Sequence, residues 1–358
     1  MGLTADLAAT RLHVLPVAVP GRPLLHLHAR AAVRARGWVL AASPADADVL
    51  LVCGAADGEL AEAVDRVWQQ VPAPRARRRV TEEAEIADAL DSAARVVGDV
   101  AAQREALRST PQPGDPEPAH RHDEHEQHGE QEHDGGTDHH EDHEGMEHDG
   151  HGGMDHGGMS MDGPAGIPLA SGWEGDRDGL EMDVLAFRLG PVLPDWPAGL
   201  VVDCTLSGDV VASASARLLP GDAEEEPREA GGFVQAVERA ARLLRLAGWT
   251  PPALRLERAI DAALAGAPGA DGARVVRAVA HRVARSALLA WSLRGTAVDV
   301  RARLLVILGD AERAALGEPP VDAPLDPDAL AASLSGRTLT VAGLVVAAAG
   351  AVQAVARA

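Results

Sequence analysis

Apolar positions recur along the chain in two blocks separated by a long polar stretch. In the first block TRLHVLPVAV, residues 10–19, predicts a strand. ADADVLLVCG, residues 45–54, predicts a short buried strand after the turn-forming Ser43-Pro44. Asp57 and Gly58 offer a helix start, and Leu60, Val64, Val67 and Val71 then recur at helical spacing until VPAP ends the run. A further helix is expected from near Thr81. There Glu82, Glu83 and Glu85 favour the positive end of the helix dipole, and Ile86, Leu90, Ala94 and Val97 form an apolar stripe. The second block opens with short β-branched runs between Pro and Gly, residues 179–220, which predict strands or hairpins. FVQAVERAARLLRLAG, the region around ALRLERAIDAALAGA, and GARVVRAVAHRVARSALLAWSL follow with i, i+3/i+4 apolar spacing. The expected architecture is an α/β N-terminal domain over 1–107 and an α+β, largely helical C-terminal domain over 167–358.

Residues 108–166 between them read as a disordered linker. Within 119–162 there is no aromatic residue, Ile, Leu or Val, so this stretch cannot bury enough apolar surface to offset the entropy of ordering. Four prolines in STPQPGDPEPAH close the preceding helix, and GPAGIP marks the downstream edge.

Charge changes this picture mainly in one place. The 358-residue chain carries a net charge of −21, which argues against nucleic acid as a partner. Residues 119–162 hold 14 acids against the single Arg121, and so account for 13 of those charges; −8 remains for the rest, an ordinary value for folded domains. Lys, Asn and Tyr are missing, and the excess of Ala, Gly, Val and Leu reads as coding bias. Cys53 and Cys204 stand far apart among apolar residues with no CxxC, so no disulfide framework, zinc ribbon or iron-sulfur cluster is expected. Each reads as a small buried hydrophobe. MGLTADLAATRLHV lacks the basic start and apolar run of a secretory signal, and the default expectation is cytoplasmic.

The strongest chemical signal is the linker itself. His120, His122, His125, His128, His133, His139, His140, His143, His148, His151 and His156 lie a few residues apart among carboxylates. A flexible chain can bring three or four imidazoles onto one ion, a donor set suited to Zn(II), Ni(II) or Cu(II). Met154, Met159 and Met161 in HGGMDHGGMSMD add soft thioethers that favour copper, above all Cu(I). The competing reading is a polar spacer, against which the tandem HGGMD, HGGMS argues.

Three other stretches carry weaker signals. His26 and His28, two apart on an expected strand, would point the same way and share a ligand, or serve as ordinary surface or core histidines. A helix expected from Arg274 to Arg303 has seven Arg against Asp299 alone; it reads as a solvated face, or as a dock for an acidic partner, the linker included. Thr338 to Ala356 carries no charge, which leaves a weak membrane span or a buried element as readings. GAPGAD near 266 is a loop without phosphate-binding context, and no Ser-His-Asp order stands out.

Two segments carry a family resemblance. In ASPADADVLLVCGAADGELAEAVDRVWQQVPAPR, Ser43, Pro44, Ala47, Asp48, Gly54, Val67, Pro72, Pro74 and Arg75 fall on a SPxxADxxxVxG strand followed by a helix and a YDQMPEPR-like turn. This resembles the small, cluster-carrying subunit of respiratory complex I (NADH-quinone oxidoreductase) and its nickel-iron hydrogenase relatives. In LGPVLPDWPAGLVVDCTLSGDVV, Gly190, Pro191, Pro194, Gly199, Leu200, Leu206, Gly208, Asp209 and Val211 resemble the GPxHPxxHGxLxLxLxLDGxxV strands of the partner large, quinone-site subunit. LAASLSGRTLTVAGLVVAAAGAV is similar to the segment that closes that subunit, and the matches span about a quarter of the chain.

The resemblance implies two subunit folds fused in one chain, which pack on each other. It also implies cluster cysteines on the first loop and after the central strand; here the first loop is RPLLHLHARAAVRARG, and the chain after Arg75 runs into a helix. The nickel-ligand CxxC pairs are missing, and Leu193 replaces the histidine of the quinone-site turn. Electron transfer at those sites is therefore not expected. The expected function is a non-catalytic structural or accessory protein that requires no cofactor and has a divalent-metal-binding linker. Its expected partners are complex I or hydrogenase components, through which it would reach a membrane. A metal chaperone or storage protein, and a cluster-less subunit of an active quinone-linked oxidoreductase, stand as alternatives.

Overall fold

The structure, a computed structural model, describes residues 11–109, 171–173, 182–221, 231–267, 269–294, 296, 299–318 and 325–350. Strands β1 (His13–Ala18), β2 (Val39–Leu40), β3 (Val49–Cys53) and β4 (Ala76–Val80) form a parallel sheet in the order β2-β1-β3-β4. All five residues of β3 are buried, because a parallel sheet is covered on both faces and its central strand alternates between two cores. Val49, Leu51 and Cys53 meet α1 (Pro23–Ala35) and α3 (Ile86–Gly98). Leu50 and Val52 face the opposite way, against Leu60, Val64 and Val67 of α2 (Gly58–Gln70). Helix α4 (Val100–Ser109) is pinned by Gln103, whose side chain accepts from Arg75 N (3.0 Å) and donates to Arg75 O and Val96 O (2.9 Å each).

Two elements depart from the sequence expectation. The segment taken as the first loop is helix α1, which starts on Pro23, a residue whose fixed φ suits a first turn. Leu25, Ala29 and Val33 face the sheet while Leu27 turns to a second core, so the helix is apolar on two sides and LLHLHA mimics strand alternation. The chain after Arg75 forms strand β4, which its run of three arginines conceals. As an edge strand it buries only Ala76 and Val80, and Arg78 donates to Ser92 Oγ (3.0 Å).

The C-terminal part begins with an antiparallel sheet of β5 (Ser171–Trp173), β6 (Met182–Leu189), β7 (Leu200–Ser207) and β8 (Val210–Leu218), in that order. Helices α5 (Gly232–Leu246), α6 (Thr250–Leu264), α7 (Gly269–Arg285), α8 (Ala287–Ser292) and α9 (Val300–Ala315) follow, packed through one aliphatic core. The chain thus combines an N-terminal α/β region with a largely helical C-terminal region. The single helix expected over Arg274 to Arg303 is three. Ser286 Oγ accepts from Leu289 N (3.1 Å) to start α8, and Asp299 Oδ1 accepts from Ala302 N (2.8 Å) to start α9.

Helices α10 (Pro327–Leu334) and α11 (Leu339–Ala348) end the described chain. Between them Val211 N donates to Arg337 O and Gly336 N to Val211 O (2.8 Å each), while Leu339 N donates to Asp209 O (2.8 Å). The closing segment is thereby tied to the β7–β8 turn, and its Leu344, Val345 and Val346 are buried. Among the described residues no helix is long and apolar enough to cross a membrane.

Gly190, where β6 leaves the sheet, has φ of +81°, and a Cβ there would sit 2.5 Å from Trp196 Nε1 and collide with Leu200 O. Trp196 Nε1 donates to that same carbonyl (2.7 Å), so the turn has no slack. Gly190→Ala is expected to lower stability by about 2–4 kcal/mol, and Gly208→Ala, at φ of +60° in open space, by about 1 kcal/mol. Urea denaturation of the two variants measures the difference.

Candidate functional site

The apolar stripes of three helices each carry charged residues one turn apart. Helix α1 has Arg30 and Arg34, α6 has Glu257 and Asp261, and α5 has Glu238, Arg242 and Arg245. Residues four apart lie one above the other, so the arginine pair of α1 meets the acidic pair of α6 in register. Arg30 reaches Glu257 (3.5 Å), and Arg34 Nε donates to Asp261 Oδ2 (2.8 Å).

Glu238 is the centre of the network and only 5% exposed. It accepts from Arg30 Nη1 (2.7 Å), Arg242 Nη2 (2.7 Å) and Arg245 Nη2 (3.1 Å). Arg245 also donates to Glu257 Oε1 (2.5 Å) and, through Nε, to Asp195 Oδ1 (2.7 Å). Asp195 adopts φ of +56°, a conformation that Asp tolerates better than most residues. Four guanidinium groups (30, 34, 242, 245) thus meet four carboxylates (195, 238, 257, 261) at the seam between the two regions, with Arg30 and Arg34 reaching across it. A second, more exposed set joins them at the far side, where Glu59 of α2 pairs with Arg188 (3.3 Å) and with Arg217.

Burial alone would push the Glu238 carboxyl up, but Arg242, Arg30 and Arg245 hold it well below the usual carboxylate range. Burial would likewise weaken Arg245 as a base, and Glu238, Asp195 and Glu257 reverse the effect and raise it. His26, half-buried beside them, is held at about 3 by burial and by Arg30 and Arg242, against the opposing pull of Glu238. The imidazole is therefore neutral at physiological pH. Every carboxylate of the set is engaged by arginine, so the arrangement is suited to fixing two surfaces together rather than to moving protons.

No family model matches the chain, and neither a curated protein nor a solved structure matches it.

The expected linker ligands His120, His122, His125, His128, His133, His139, His140, His143, His148, His151, His156, Met154, Met159 and Met161 lie outside the described residues. His26 and His28 do not share a ligand site. They lie two apart on a helix instead of a strand, which turns them to different sides. His26 faces the network, while His28 Nδ1 lies 3.1 Å from Glu83 Oε1. Cys53 and Cys204 are both buried, and burial pushes both thiols up, with Asp203 adding to the effect at Cys204. Among the described residues no group of three His, Cys, Asp or Glu is arranged to hold a metal ion. The sequence reading missed the charge network. Its signal was present as charges inside apolar stripes, such as Glu238 between Val237 and Ala240.

Truncating Glu238 takes one carboxylate partner from each of three guanidinium groups, leaving Arg30 with Glu257 and Arg245 with Asp195 and Glu257. Glu238→Ala is expected to cost about 3–5 kcal/mol, whereas exposed Arg274→Ala should change stability by less than about 1 kcal/mol. Denaturant titration of both variants measures this. His26 adds a pH dependence of definite sign. Its folded pKa of about 3 lies below its ordinary 6.5, so the unfolded chain binds the extra proton in that window and stability falls as pH drops from 6.5 towards 3. His26→Gln should flatten this part of the stability profile, measured by denaturation at stepped pH.

Proposed function

We propose that this chain is a non-catalytic accessory protein whose two regions form a scaffold and whose intervening segment binds divalent metal. The observation that carries this reading is the concentration of 11 His, 14 carboxylates and four Met in residues 119–162. Imidazole and carboxylate take Zn(II), Ni(II) or Cu(II), and the thioethers of Met154, Met159 and Met161 bias the downstream end towards copper. The scaffold is read as a relative of the complex I and hydrogenase subunit pair that has lost its cofactor ligands, and its partners as components of such complexes.

The topology supports this reading of the scaffold. In a parallel sheet ordered β2-β1-β3-β4, the ligand crevice lies beyond the carboxyl ends of β1 and β3, where the strand order reverses. The two loops at that crevice, residues 19–22 and 54–57, carry no cysteine. Gly199 of the second region packs against Pro20 there, and Val201 and Leu219 join the core of β1 and β3. The only thiols in the chain are buried and disfavoured as thiolates, which metal or cluster ligation requires. A metal chaperone is the second reading, favoured by the HGGMD, HGGMS tandem.

Titration of the full chain and of a variant lacking residues 119–162 with Zn(II), Ni(II) and Cu(II), followed by calorimetry, tests the proposal. The full chain is expected to bind at pH 7 and to weaken as pH falls below about 6.5, where imidazoles protonate. The variant is expected to keep its melting temperature and lose binding; equal binding by both chains would sink the proposal. Partner retention by the variant without a metal-linked growth phenotype supports the accessory role, and a phenotype supports the chaperone.

A further inference from the structure

Leu288 and Trp291 are the most exposed large apolar side chains among the described residues, at 71% and 64%. They lie three residues apart on α8 and share its outer face, while Leu289 and Leu293 turn into the helical core. The surrounding charge is one-sided. From Gly272 to Val298 the sequence has five Arg and no acid, in a chain of net charge −21. Two of those arginines are already paired, Arg274 with Asp271 and Arg277 with Glu312 (2.8 Å). The three nearest the apolar pair are not paired with acids among the described residues. Arg282 and Arg294 are exposed, and Arg285 contacts only His281 Nε2 (3.4 Å) within the same helix.

An occupant of this surface must answer both its charge and its apolar pair. Residues 119–162 offer 14 carboxylates to the arginines, but their only large apolar side chains are four Met, three of which the metal reading already engages, and no aromatic residue, Leu, Ile or Val is there to cover Leu288 and Trp291. A bilayer rich in anionic lipid offers both. Phosphate groups meet the guanidinium groups, the indole sits at headgroup level, and Leu288 reaches the acyl boundary. We infer that α8 and its flanking arginines, Arg282, Arg285 and Arg294, form a peripheral docking site for an anionic lipid surface. The contact is direct and is separate from the metal chemistry of the linker. Two apolar side chains make a shallow anchor, so attachment depends on the arginines as well and weakens as salt screens them.

Co-sedimentation of the full-length protein with phosphatidylcholine vesicles, with and without phosphatidylglycerol, tests the inference. The protein is expected to sediment with phosphatidylglycerol vesicles and to be released at high salt. The double variant Leu288→Ser, Trp291→Ser and the triple variant Arg282→Gln, Arg285→Gln, Arg294→Gln are each expected to bind at least about tenfold more weakly. All these side chains point outward, so circular dichroism melts should match the parent. The variant lacking residues 119–162 should bind as well or better, since it loses 13 negative charges. Failure to sediment with either vesicle, or undiminished binding by either substituted variant, overturns the inference. So does a Trp291-dependent change in fluorescence produced by a peptide of residues 119–162 and not by vesicles, which would assign the surface to the chain's own acidic segment.

Discussion

A carboxylate as buried as Glu238 stays charged only if several cations converge on it, because removing an ion from water costs several kcal/mol before any pairing is counted. Two of its three arginines come from its own helix, and the third, Arg30, comes from the first region, 208 residues away in sequence. The charge balance of the C-terminal helices is therefore completed only when α1 is docked. The rest of the molecule follows from that requirement. Helix α1 must be buried on two faces, Leu27 must join the helical core, and the crevice of the parallel sheet must face the second sheet. An apolar seam would be as stable or more so, but it would fix the helices less specifically in register than one-turn pairs of arginine and acid do.

The same requirement accounts for what the intervening segment is able to be. Closing a flexible loop costs only about 0.6 kcal/mol more for each doubling of its length, so a docked seam tolerates a long insertion between its halves. Residues 119–162 have no Ile, Leu, Val or aromatic side chain to offer to a core.

Much of the fold was legible in the sequence where one physical signal dominated. Strand β3 is a run of apolar residues between turn signals, and α2, α3 and α5 have apolar stripes at helical spacing. Where two signals competed, the reading failed. Alternating Leu and His in α1 imitated a strand because that helix packs on two sides, and three arginines hid β4 because an edge strand need bury only its ends. The break at Ser286 was missed because apolar spacing continues through it, although a Ser before Ala287 is a cap signal. The seam was illegible for a different reason. Each of its charges looks like ordinary helix-surface chemistry, and only the docking of α1 on α5 and α6 reveals that the partners are buried together.

The tie between the closing segment and the β7–β8 turn bears on biosynthesis. Beyond the β7–β8 ladder itself, Asp209 and Val211 take backbone partners in residues 336–339 and Val210 bridges to Thr338, near the end of the described chain. During synthesis from the N-terminus both sheets have all their strands before this contact is made, since it lies more than a hundred residues downstream of the β7–β8 turn. A nascent chain therefore carries an uncapped second sheet from the completion of β8 at Leu218 until α10 and α11 have been made. A product truncated before α10 would expose the face of β7 and β8 that Leu330, Leu334 and Val345 cover, so the second sheet has its core only once these two helices have been added.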